Sequence, residues 1–345
     1  MHILIIGGTR FIGPYVVRRL VVARHRVTLF NRGQTACENP DGVEVIKGDR
    51  ADLIHDGRLS ELADRLRAAE PEVVLDMIPI KEQDARDLLA VFDGVARRVV
   101  AVSSQDVYRN YGRFIEIESG PPDPVPLTED SPLRGKLYPY RDSAGGPEDR
   151  MYHYDKIPVE RAYLSEPKLP GTILRYPMVY GPGDYQHRLY GYLKRMDDDR
   201  PSILLDRGMA AWRWTRGYVE DIASATVQAI VDDRAAGRVY NLGERDSPCE
   251  ADWVRVVAGV VGWDGRVVAV AGEKLPESMR VSGRTECHIV TDTSRIREEL
   301  GFVETVPRDE GLRRTIAWER ANPPSGGAGE FDYGAEDAVL ADLGK

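Results

Sequence analysis

The stretch His2-Ile3-Leu4-Ile5-Ile6-Gly7-Gly8-Thr9-Arg10-Phe11-Ile12-Gly13 decides the fold. A short, mostly aliphatic run meets two glycines and then an amphipathic segment, Phe11–Ala23. That is the pattern of a buried strand turning into a helix. Pro14 is compatible with a first helical turn. Gly7 permits a tight turn, and Gly13 permits close packing of helix on strand. The free N–H groups at the start of such a helix suit a pyrophosphate. Arg10 stands where the dinucleotide-binding pattern has its middle glycine. A glycine spacing alone is weak evidence; the strand before it and the helix after it give it weight.

The same alternation continues outward. Arg26–Phe30, Val43–Lys47, Glu72–Asp76 and Arg98–Ser103 read as strands, and Leu59–Ala69 and Glu82–Phe92 as helices. Strands alternating with helices predict a parallel sheet covered on both faces. Residues 105–147 break the pattern with seven prolines and five glycines. A stretch of that length without a period is commonly functional or disordered; we read Leu137–Asp149 as a lid or substrate-selecting loop, the alternative being a disordered insertion. The pattern resumes with a helix at Met151–Leu164, a strand at Thr172–Arg175, a helix at Val219–Val231, a strand at Arg238–Leu242 and a helix at Asp309–Ala321. The last 22 residues carry five acids and one lysine, and a loosely held tail is expected there. The expected architecture is α/β, a Rossmann-type doubly wound parallel sheet with a smaller C-terminal substrate lobe. The dinucleotide domain takes 1–175, with returning segments at about 217–245. The lobe takes 176–216 and 246–322, and the acidic tail 323–345.

Composition narrows the function. The chain has 345 residues, 42% of them hydrophobic and 30% charged, with a net charge of −9. The mix is globular, and the acidic balance argues against general nucleic-acid or anionic-membrane binding. No apolar run has bilayer length, and the start of the chain lacks a signal-peptide pattern. Cys37, Cys249 and Cys287 are scattered and form no ligand spacing, so no metal is expected and a cytoplasmic location is. The second strand ends Leu29-Phe30-Asn31-Arg32-Gly33, with no acid to bond a ribose 2′-hydroxyl. Arg32, with Arg10, suits a 2′-phosphate instead, which favours NADP over NAD; the alternative is a solvated loop arginine.

Four blocks in order resemble the extended short-chain dehydrogenase/reductases, the NAD-dependent epimerase/dehydratase family. They are the Gly7–Gly13 turn, Val102-Ser103-Ser104-Gln105-Asp106-Val107-Tyr108, Tyr152-His153-Tyr154-Asp155-Lys156 with Glu160, and Leu174-Arg175-Tyr176-Pro177-Met178-Val179-Tyr180-Gly181-Pro182-Gly183. The resemblance implies catalysis by Ser104, Tyr152 and Lys156. A tyrosine and lysine four apart share one helical face, and an ammonium lowers the phenol's pKa. Pro158 argues that this helix starts late or kinks. Gly7, Thr9, Arg10, Phe11, Ile12, Gly13, Asn31, Arg32, Asp49, Arg50, Met77, Ser103, Tyr152, Lys156, Tyr176, Pro177 and Met178 would line the cofactor. Asp106 stands where the family's dehydratases carry an acid, or caps the loop. Met178 stands where nucleotide-sugar enzymes carry an asparagine. Arg188 and Arg213, with Arg195 and Arg216, would meet an anionic substrate group.

The implied function is NAD(P)-dependent oxidoreduction at a hydroxyl or carbonyl carbon of a sugar-like, possibly nucleotide-linked substrate. A homodimer formed through the Glu82–Phe92 and Met151–Leu164 helices is expected. The alternative is a non-catalytic superfamily member that senses dinucleotide or binds RNA.

Overall fold

The computed structural model describes residues 1–325 and 331–344. Its first half runs β1 (His2–Ile6), α1 (Ile12–Val22), β2 (Arg26–Asn31), β3 (Glu44–Lys47), a small hairpin of β4 (Ile54–His55) and β5 (Arg58–Leu59), α2 (Glu61–Arg67), β6 (Val73–Asp76), α3 (Glu82–Phe92) and β7 (Arg98–Ser104). After α4 (Arg109–Phe114) and a long loop come α5 (Lys156–Leu164), β8 (Gly171–Tyr176), β9 (Met178–Tyr180), α6 (Tyr190–Asp197), β10 (Ser202–Asp206) and α7 (Arg207–Ala211). The chain then continues through β11 (Arg216–Tyr218), α8 (Val219–Val231), β12 (Val239–Asn241), α9 (Glu250–Val261), β13 (Arg266–Val270), α10 (Ser294–Leu300), α11 (Arg308–Ala321) and α12 (Tyr333–Asp342).

Seven strands form one sheet in the order β12-β8-β7-β6-β1-β2-β3, with every neighbouring pair parallel. The strands are short and aliphatic because both sheet faces are covered. Ile3 and Ile5 of β1 join a core with Val16, Val17 and Leu20 of α1 and Ile222 of α8. Their neighbours Leu4 and Ile6 point the other way, onto Leu66 of α2, Leu88 and Phe92 of α3 and Tyr163 of α5. β12 reaches the sheet from far along the chain, as the returning strand does in the sequence reading. Beyond the sheet lie two further parallel pairs, β9 with β11 and β10 with β13.

The structure corrects three expectations. The helix predicted from Met151 begins at Lys156; Arg150–His153 form a separate 3-10 turn. Asp155 is its N-cap, taking the N–H of Ile157 at 2.9 Å. Pro158, having no N–H, sits in the first turn, the place where none is needed. The stretch 105–147 is not wholly irregular, since it contains α4. The tail is not loose over its described part: α12 docks on the lobe. Leu340 packs with Leu204, Val268, Val270 and Leu275, and Glu336 forms a buried ion pair with Arg195.

Candidate active site

The turn after β1 has the form a dinucleotide requires. Gly7 has φ +95°, a region open to glycine without strain. A Cβ on Gly13 would lie 2.4 Å from the Gly8 carbonyl carbon, so only glycine lets α1 approach this closely. Neither a side-chain cap nor an acidic residue occupies the start of α1. Gly13 donates its N–H to the Arg10 carbonyl at 3.0 Å and Pro14 has none, so the N–H of Ile12, with those of Gly8 and Thr9, is the group open to an anion. These residues fit a pyrophosphate-bearing cofactor, with Ile12 in the first helical position. Phe11 adopts φ +47°, and its ring packs edge-on against Tyr185 of the lobe, centroids 6.4 Å apart.

At the end of β2, Asn31 turns its side chain to the N–H of Gly33 at 2.8 Å. Arg32 is mostly exposed, 3.8 Å from the Asp49 carboxylate; two such exposed charges bind each other weakly. Arg10 donates from Nε to Thr35 at 3.0 Å, bringing the glycine turn against the loop after β2. Both guanidinium groups thus lie about the loop after β2.

Other expected cofactor residues are committed elsewhere. Arg50 does not face a ligand: it grips Asp76 through two bonds of 3.1 and 3.0 Å and donates to the backbone of Ile78 and Asp84. Asp49 caps the short turn after β3 by accepting from Ala51. The Ser103 hydroxyl donates to buried Glu160, which pairs with Arg175 at 2.7 Å. The Tyr176 hydroxyl shares a bond with Thr226 at 2.7 Å. The bonds of Ser103, Glu160, Arg175 and Tyr176 lock β7, β8, α5 and α8 together. Met77 is pinned by its N–H to Ile6. Pro177 packs near Gly217, and Met178 joins an aromatic cluster with Tyr111, Tyr140, Trp212 and Trp214.

The structure separates one member of the expected catalytic set from the others. Because α5 starts at Lys156, Tyr152 does not share a helical face with the lysine. Its ring lies against Arg141, 4.9 Å from the guanidinium, and against His153. Tyr154 takes the expected place. Its hydroxyl donates to Asp106 at 2.8 Å, and Ser104 is a neighbour that acts to lower its pKa. The Lys156 Nζ is 5.7 Å from the Tyr154 ring centroid. Ser104 itself caps the turn after β7, taking the Asp106 N–H at 3.2 Å. Asp106 therefore faces Tyr154 as well as starting the loop.

Burial sets the electrostatics of this group. It raises the Tyr154 phenol well above its ordinary value, and the neighbouring Asp106 carboxylate adds to the rise. Burial likewise raises Asp106, against the pull of Arg134, Tyr154 and Lys156. It lowers Lys156 to about 8, although Asp76 and Asp106 oppose it. Lys156 donates to the carbonyls of Pro79 and Val102. One Asp106 oxygen, Oδ1, is buried without a hydrogen-bond partner, an unsatisfied acceptor in a low-dielectric pocket. Tyr140, from the long loop, packs against Tyr154 with the rings tilted by 54° and centroids 5.4 Å apart, and shares a 2.6 Å bond with Tyr111.

Two supports escaped the sequence reading. Asp155 is fully buried and holds Arg134 at 3.0 Å and the Tyr138 N–H at 2.6 Å as well as the Ile157 N–H. It thereby ties the long loop to the start of α5. The tyrosines of that loop carry no sequence signal beyond its richness in Tyr and Pro. Of the arginines expected to meet an anion, Arg188 pairs with Asp184 at 2.7 Å, while Arg213 is half-buried and donates only its Nε–H, to the Ser247 carbonyl at 2.8 Å. Among the described residues no group of His, Cys, Asp and Glu forms a metal site, and no helix is long and apolar enough to cross a membrane.

Comparison with known proteins agrees with this geometry. The chain is 29% identical over 314 residues to 2'-dehydrokanamycin reductase from Streptomyces kanamyceticus, covering 88% of this chain and 78% of that one. It is 26% identical over 260 residues to chloroplast stem-loop binding protein of 41 kDa b from Arabidopsis thaliana, covering 70% and 59%. It is 25% identical over 340 residues to dTDP-glucose 4,6-dehydratase from Streptomyces griseus, covering 92% and 93%. Its fold matches UDP-glucuronic acid 4-epimerase from Bacillus cereus, solved with UDP-glucuronic acid and NAD, at a TM-score of 0.67 and 18% identity over 93% and 99% of the two chains. The NAD dependent epimerase/dehydratase family model matches residues 3–243. Glycine turn, parallel sheet and this match converge: the chain belongs to the NAD dependent epimerase/dehydratase family of extended short-chain, nicotinamide-dependent enzymes.

Proposed function

We propose that this chain is a reductase, preferring NADP, that converts a ring carbonyl of a sugar-like compound to a hydroxyl. The observation that carries the reading is Tyr154, its hydroxyl bonded to Asp106, with Ser104 as a neighbour and the Lys156 ammonium beside it. A bound nicotinamide dinucleotide supplies the hydride. Ser104 orients the reacting oxygen, and Tyr154 delivers the proton to it. The Lys156 cation offsets the burial that opposes phenolate formation. The glycine turn and the start of α1 hold the pyrophosphate, and Arg32 with Arg10 supports the 2′-phosphate. Net reduction also agrees with the activity of the Streptomyces kanamyceticus relative, a reductase.

The test is nicotinamide absorbance during turnover with a panel of oxidised sugars and aminoglycosides. The reading predicts substrate-dependent NADPH consumption and product of unchanged carbon skeleton. Loss of water from the substrate, or no consumption with any carbonyl, contradicts it. Arg32→Ala should weaken NADP binding ~10-fold, about 1.4 kcal/mol, and leave NAD within twofold; equal loss for both removes the NADP preference. We also place the enzyme in the cytoplasm as a homodimer contacting through α3 and α5, which light scattering checks.

A further inference from the structure

The long loop ends in a flap that is weakly tied to the rest of the molecule. None of residues 141–150 is buried. Its ends are fixed: Asp155 holds the Tyr138 N–H at 2.6 Å, and Asp149 caps the turn Arg150–His153. Among the described residues, the hydrogen bonds of 140–150 find their partners within 136–153, with one exception. The Tyr140 hydroxyl meets that of Tyr111, on α4, at 2.6 Å. The same Tyr140 ring stands against the reacting group, 5.4 Å from the Tyr154 ring and 6.5 Å from the Tyr111 ring. Burial raises all three phenols, and the Asp106 carboxylate adds to each rise. The three hydroxyls and Asp106 therefore share one pocket, in which Asp106 Oδ1 lacks a partner.

Tyr111 belongs to a helix and packs against Trp214, centroids 5.7 Å apart, so it stays in place when the flap moves. Tyr140 is held there by one neutral hydrogen bond, which contributes little net and exchanges readily for another partner. Resting on the proposed reduction of a sugar-like carbonyl, we infer that residues 140–149 are a lid latched by the Tyr140–Tyr111 bond, and that opening it hands the Tyr111 hydroxyl to a hydroxyl group of the substrate. The substrate ring takes the space that Tyr140 leaves beside Tyr154, against Tyr111 and Trp214. Aromatic walls with a few directed polar groups are the usual lining of such sites. Tyr111 is then a substrate-binding residue, and Tyr140 holds its place in the empty enzyme.

Limited trypsin digestion of the whole chain, read at Arg141 and Arg150, tests the latch, since cleavage tracks the open population. Tyr140→Phe and Tyr111→Phe each remove the bond and keep the rings. Each should speed cleavage at these two sites at least ~5-fold, with the thermal midpoint within about 2 °C of the parent. The double variant should be cleaved no faster than either single one, because both break the same bond. Unchanged cleavage in both single variants, or effects that multiply in the double, overturns the latch. Steady-state kinetics with NADPH and the fastest-reduced ketone of the oxidised-sugar panel tests Tyr111. Tyr140→Phe should lower KM, because a larger share of the enzyme is open. KM of Tyr111→Phe should exceed that of Tyr140→Phe at least ~5-fold, since only Tyr111 also bonds the substrate. Equal KM values for the two overturn the role of Tyr111. Faster cleavage combined with no NADPH consumption by any ketone would refute the reductase reading, and Tyr111 as its binding residue with it, and leave the lid standing.

Discussion

Lys156 shows how a single residue's surroundings set its working range. Burial lowers its pKa to about 8, so its ammonium is lost as pH rises through that value. If the cation assists Tyr154, kcat/KM should hold near neutral pH and fall on an alkaline limb centred at about 8. A rate still flat well above that point would remove Lys156 from the reaction. The stability sign is opposite. The unfolded chain holds this proton more tightly, so the cost of the buried charge fades as pH rises between the folded and unfolded values. The sequence singles out Lys156 and Ser104 because their blocks keep the family's order, and the structure sets both near Tyr154. Tyr154 was not. Spacing alone points to Tyr152, since four residues make one helical turn. The deciding signal was Pro158 together with Asp155, a good N-cap residue, which together start the helix at Lys156 and leave Tyr152 outside it.

At the scale of elements, the long loop and α5 are joined by Asp155. Its carboxylate is buried with Arg134 and holds three N–H donors: Arg134, the Tyr138 backbone and the Ile157 backbone. Removing one partner of a buried pair leaves the other charge without compensation, at a cost of about 3–5 kcal/mol. Asp155→Ala should lower the unfolding midpoint accordingly and release residues 134–140 to proteolysis; a change under about 1 kcal/mol would show that the pair is not structural. Gly13 belongs to the same scale. The strand–glycine–helix grammar made β1, β2, α1 and α3 readable to within a residue or two. The loop tethers were unreadable, because the partners lie 17 and 21 residues apart with no period linking them.

The whole molecule is held by contacts that no local pattern announces. α12 follows an acidic stretch that composition alone would leave unanchored. Its acids instead meet basic residues of the lobe: Glu336 with Arg195, Asp337 with Arg200 and Asp342 with Lys274. Leu340 adds apolar contact with β10 and β13. Of these links, the Arg195–Glu336 pair is buried on both sides, so losing one partner alone is costly; the exposed ones are worth little. Ending the chain at residue 323 should therefore destabilise it by about 2–4 kcal/mol, seen in thermal unfolding, and should leave dinucleotide binding at the β1–α1 turn unchanged. An unchanged midpoint would show that α12 does not dock in solution.

The most direct measurement pairs two substitutions under single-turnover conditions, Tyr154→Phe and Tyr152→Phe, each with dinucleotide affinity measured alongside. Tyr154→Phe should cut the reduction rate at least ~10²-fold with cofactor affinity retained, and Tyr152→Phe should stay within a few-fold of the parent. The reverse order, with Tyr152→Phe inactive and Tyr154→Phe near normal, would contradict the account.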